Sequence, residues 1–129
     1  MEAKTILIFF ILISTISTYG QNKPFSIYGK WQKVAESGSD GANKFTIGIK
    51  NGEILLFKKN KKVEDNAGNI GRYKLKGRKL KVTLNNSLKY YLVFYNDDDL
   101  NKMFLSPVTP EYQIICDEGC SFTYVRQNH

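Results

Sequence analysis

Ile70-Gly71-Arg72-Tyr73-Lys74-Leu75-Lys76-Gly77-Arg78-Lys79-Leu80-Lys81-Val82-Thr83-Leu84 is the stretch on which the fold turns. Its apolar residues recur at every second position. Tyr73 and Leu75 share one face, with Arg72, Lys74 and Lys76 opposite. After Gly77-Arg78, Leu80, Val82 and Leu84 face one way and Lys79 and Lys81 the other. A period of two, broken by a turn signal, predicts two antiparallel strands with one face on a core and one face in water.

The same grammar extends in both directions. Residues 44–50 alternate, with Phe45, Ile47 and Ile49 on the predicted inner face, and Asn51-Gly52 follows as a hairpin signal. Residues 29–35, 53–59, 88–95, 100–105 and 120–126 read as further short strands. Polar loops at 37–41, 66–69, 85–86 and 96–99 separate them, and Pro107 and Pro110 interrupt the last interval. Eight strands joined by short connections are antiparallel neighbours. In sequence order they close into an all-β, eight-stranded antiparallel up-and-down barrel, which leaves no exposed edge. A two-sheet sandwich is the alternative. Ala, the best helix former, is scarce beside eight Tyr and eight Phe, in keeping with an all-β chain.

The 129 residues support one domain. The first twenty differ from the rest. Ile6-Leu7-Ile8-Phe9-Phe10-Ile11-Leu12-Ile13 follows Lys4 and gives way to Ser and Thr before Gly20. That run is too short for a membrane span, which needs about 20 apolar residues. It reads as a secretory signal cut after Gly20, leaving residues 21–129 as the mature domain; an uncleaved anchor is the alternative. No Cys lies near the cut, so a lipoprotein anchor is not expected. The resulting address is secreted or periplasmic, and soluble.

One His, at the last position, leaves no His-based triad or multi-His metal site. The Glu residues fall in separate loops and strand ends, so no carboxylate pair is set up for acid–base work. Asp97-Asp98-Asp99 lacks the spacing, Gly and Glu of a calcium loop. The chain is therefore read as a non-enzyme without cofactor or metal. Cys116 and Cys120, separated by Asp117-Glu118-Gly119 in an exported chain, read as a disulfide that pins the last strand, worth roughly 2 kcal/mol by loop entropy.

Tyr28-Gly29-Lys30-Trp31 opens the first strand. Cys116-Asp117-Glu118-Gly119-Cys120, then Tyr124-Val125-Arg126, closes the chain. With the eight-strand meander and the acidic turn at Asn96–Asp99, these motifs resemble the small lipocalin-like domain proteins that bacteria export. The resemblance covers about residues 27–127. It implies a short barrel without the C-terminal helix of full-length lipocalins. In it Trp31 plugs one end and Arg126 packs over the indole. Strict alternation puts Lys33 on the Trp31 face, so a bulge near Gln32 or a position beyond the rim is expected for Lys33. The resemblance also implies a small hydrophobic ligand inside the barrel. The candidate lining is the inward set Phe45, Ile47, Tyr73, Leu75, Tyr90, Leu92, Phe104 and Phe122, with Ile49 and Val82 beside them. Large side chains can equally fill the interior.

The net charge is +7, and between Lys50 and Lys81 eleven basic residues meet three acidic ones. Arg72, Lys74, Lys76, Lys79 and Lys81 form one outward face, fit for an anionic envelope surface or for solvent. Nucleic acid is not expected, because the interleaved aromatics are read as pointing inward. Residues 88–95 are apolar on both faces. The predicted outward set Tyr91, Val93 and Tyr95 is covered by residues 21–28 or by the excursion at 107–112, or else marks a dimer or partner surface; a monomer is the base expectation. This outer basic and aromatic surface, over a filled core, defines the second reading: an interaction or inhibitor module.

Overall fold

A computed structural model describes residues 24–39, 42–116 and 119–128. The described residues form nine strands and no helix: β1 (Gly29–Ser39), β2 (Lys44–Gly48), β3 (Ile54–Phe57), β4 (Lys62–Asp65), β5 (Ile70–Lys76), β6 (Lys79–Leu84), β7 (Ser87–Asn96), β8 (Asp99–Val108) and β9 (Ser121–Gln127). The expected leader, residues 1–20, lies outside them. So do Asp117 and Glu118. No helix of the described residues is long and apolar enough to cross a membrane.

β1 and β3 to β9 close an eight-stranded antiparallel up-and-down barrel, each strand beside the next and β9 back against β1. The count of eight matches the sequence reading, but one member differs. β2 is not in the barrel wall. It pairs only with the second half of β1, from Ala35↔Gly48 to Ser39↔Lys44, as a ribbon beyond the barrel. Its place in the wall is taken by β4, which pairs β3 and β5. Lys62-Val63-Glu64-Asp65 carries one apolar side chain, too few to show alternation, yet Val63 is fully buried. Conversely, the clean alternation of β2 has no layer to face, and all five of its residues are exposed.

Asn51-Gly52 therefore does not close a hairpin, since β2 and β3 both pair with β1 and not with each other. Asn51 does adopt positive φ. Gly52 is needed for a different reason: a Cβ there would overlap the Lys33 carbonyl, where the chain crosses β1. Across the β6–β7 turn, Asn85 and Asn86 both have positive φ (53° and 60°), the pair that a tight hairpin requires.

β1 carries a bulge between Lys33 and Ala35. Before it, Trp31 and Lys33 point inward. After it the parity changes, so Lys33 and Glu36 share the inner face and their charged groups lie 3.7 Å apart.

One end of the barrel is solid. Trp31, Phe57, Val63, Leu80, Val93, Met103 and Leu105 are essentially fully buried. Residues 24–28 pass beneath them: Trp31 Nε1 donates to the Ile27 carbonyl at 2.8 Å, and Phe25 stacks on Tyr95 at 4.2 Å. Arg126 seals this end. Its guanidinium lies 4.2 Å over the Trp31 ring and donates to the carbonyls of Ser26 and Tyr28, while Nε donates to Asn101 Oδ1. The other end stays open between β1, β7, β9 and the excursion that joins β8 to β9. In that excursion Cys116 and Cys120 form a disulfide, and Ser106 Oγ donates to the Cys120 carbonyl at 3.0 Å.

Candidate functional site

The faces of β7 are the reverse of the sequence reading. Leu80 pairs with Tyr91, and Val93 with Leu105, so Tyr91, Val93 and Tyr95 point inward. Leu88, Tyr90, Leu92 and Phe94 point outward. The misleading residue is Lys89, which shares the parity of Tyr91 and so marks that face as polar. Lys89 sits at the open rim, where an inward position still reaches water.

Of the eight expected lining residues, Tyr73, Leu75 and Phe122 face inward and pack in or against the core. Tyr90 and Leu92 lie on the outer face of β7, and Phe104, opposite Phe94, on the outer face of β8. Tyr90 is met there edge-on by Tyr112 at 5.6 Å, so the excursion covers part of this outer face. Phe45 and Ile47 are 44% and 58% exposed on the β2 ribbon, where they line a depression of about 300 Å³ together with Phe122 and the disulfide. A deep cup lined by all eight is thus corrected: the closed half is filled, and the concavity lies at the open end.

Lys33, Glu53, Tyr91, Phe122 and Tyr124 build that end. The Lys33 N–H donates to the Glu53 carbonyl at 2.8 Å, which ties the Glu53 backbone to β1. Tyr124 Oη donates to Glu53 Oε1 at 3.0 Å. The Lys33 ammonium lies 4.2 Å from the centre of the Phe122 ring, and the Tyr91 ring meets Phe122 edge-on at 6.4 Å. Tyr91 divides the mouth into two depressions that share Glu53 and Lys89. One, of about 150 Å³, runs over Leu55 and Leu84. The other, of about 560 Å³, runs over Phe122 to Pro107, Pro110 and Ile115 and is bordered by Leu88 and Tyr90, so Tyr90 lines it from the outer face of β7. Lys33 and Tyr124 lie mid-strand on the inward faces of β1 and β9, and Glu53 directly precedes β3. Their only sequence signal was the conflict already visible at Lys33.

Burial pushes the Tyr91 phenol up to about 12, helped by the Glu53 carboxylate. Burial and Glu53 raise Tyr124 as well. Both hydroxyls stay protonated and able to donate. A raised folded-state value means the folded form keeps a proton that the unfolded chain releases near pH 10. Stability from these two groups is therefore present below about pH 10 and is lost as pH rises further, by about 1.4 kcal/mol per pH unit for each phenol. Urea denaturation at about pH 9 and pH 11 is expected to show that loss. Tyr91→Phe with Tyr124→Phe is expected to show a smaller one.

A further concavity lies outside the barrel. It is an open groove of about 980 Å³ between the β2 ribbon, the disulfide loop and the outer face of β7 and β8, with Phe45, Phe94, Phe104 and Ile114 along it. No group of three or more metal-binding side chains occurs among the described residues. Compared with protein-family models and with curated proteins, the sequence matches none.

Proposed function

We propose that this chain is an exported, lipocalin-like binding protein that holds a small hydrophobic molecule with one polar end at the open mouth of its barrel. The observation that carries the reading is the 560 Å³ depression, floored by Tyr91 and Phe122 and edged by Lys33 and Glu53. Its size and its mix of aromatic floor and few polar groups suit a small-molecule site. The apolar body would lie on the two rings and on Pro107, Pro110 and Ile115. The polar end would meet Lys33, Glu53 or the Tyr91 hydroxyl. No step of covalent chemistry is assigned to it. The disulfide supports export, because such bonds persist in oxidising compartments.

The neutral dye N-phenyl-1-naphthylamine tests the reading, since a neutral probe is not drawn to the basic outer surface. Its fluorescence is expected to rise saturably with one site per chain. Phe45→Ser, in the outer groove, should leave the titration unchanged. Loss of binding in that variant would move the site to the outer groove.

A further inference from the structure

The basic face is built as a ladder of like charges. Lys62 stands opposite Arg72, Lys74 opposite Lys81, and Lys76 opposite Lys79. Like charges directly across a strand pair are destabilising. No acidic residue occupies an outward position of β5 or β6; Glu64, on β4 beside Lys62, is already paired with Lys58, and the Lys33–Glu36 pair lies on β1. Lysines often guard sheet edges. That role is not open here, because β5 and β6 are each paired on both sides. The repulsion is left for something outside the chain to relieve.

The corrected parity of β7 shows what borders the ladder. Lys81 pairs with Tyr90 and Lys79 with Leu92, so the cations run straight into an outward apolar row. Arg78 lies 5.5 Å over Phe94, Lys79 lies 5.3 Å over Tyr112 and Lys81 lies 6.0 Å over Tyr90. Leu88 and Phe94 remain 50% and 38% exposed.

We propose that this face, β5 and β6 with the outer side of β7, docks on a membrane surface of anionic lipids. Phosphate headgroups would neutralise the lysine ladder. The flanking Tyr, Phe and Leu side chains would enter the interfacial layer, where amphipathic aromatics are favoured. A polysaccharide or nucleic acid would satisfy the charges but give the exposed Leu88 and Phe94 nothing.

The test is co-sedimentation of the protein with phosphatidylcholine vesicles, with and without phosphatidylglycerol as about a third of the lipid. Binding is expected only to the anionic vesicles and to weaken with salt, with about a fivefold loss per lysine removed. The decisive variant is Lys74→Glu with Lys76→Glu. It places carboxylates opposite Lys81 and Lys79, so its melting temperature should equal or exceed that of the original chain while vesicle binding falls at least twentyfold. Equal binding to both vesicle types would overturn the proposal, as would unchanged binding by this variant. Tight binding to heparin with none to vesicles would overturn the lipid assignment. Phe122→Ala, in the mouth, should bind vesicles normally, so the two proposals can fail separately.

Discussion

Replacing Trp31 with alanine is expected to cost about 3–5 kcal/mol, the range for truncating a large buried aromatic. Several losses coincide at this position. The indole is fully buried, donates its N–H to the Ile27 carbonyl, and lies beneath the Arg126 guanidinium. Without it the carbonyl loses a donor. Arg126, still anchored to the Ser26 and Tyr28 carbonyls, is left over a void. A small domain has only about 5–15 kcal/mol in total, so the loss removes from about a fifth of its stability to all of it. Trp31→Phe keeps a ring but not the N–H and should lose only about 1–2 kcal/mol. Urea denaturation followed by far-ultraviolet circular dichroism measures both, since the fluorophore itself is removed. A loss below about 1 kcal/mol for Trp31→Ala would mean that the closed end is not held by this side chain.

Tyr91→Ala and Phe122→Ala are each expected to weaken binding of the neutral dye about tenfold. Each ring would contribute roughly 60 Å² of apolar contact, worth about 1.5 kcal/mol at 25 cal/mol per Å². The two rings meet edge-on, so the double variant should lose less than the product of the single losses if removing one lets the other shift. Neither ring belongs to the fully buried set, so stability should fall less than for Trp31→Ala. A mouth variant that binds as the original chain does, beside a Phe45→Ser variant that does not, would place the dye in the outer groove.

Much of the barrel was legible because strand periodicity and turn chemistry are local. β5 and β6 alternate without ambiguity, and Gly77 and the Asn85-Asn86 pair take the positive φ that their turns need. Three features were not local. The parity of β7 cannot be read from a strand apolar on both faces, and only its pairing with Leu80 and Leu105 decides it. β4 stands on one buried valine, held by neighbours on both sides. β2 alternates as well as any strand, but its position outside the wall follows from the β1 bulge and the crossing at Gly52. Of the site, Phe122 and Tyr90 were anticipated. Tyr91, Tyr124, Lys33 and Glu53 were not, because which end of a barrel is open depends on what plugs the other. Trp31 and Arg126 occupied the same positions in the sequence reading, and the structure sets them 4.2 Å apart.

The most direct test of a ligand at the mouth is native mass spectrometry of the chain purified from its own host, beside the Tyr91→Ala, Phe122→Ala double variant prepared the same way. A lipid-sized adduct is expected on the original chain and should be depleted on the variant. An original chain that carries no adduct, or a variant that retains it in full, would contradict a binding site built on Tyr91 and Phe122.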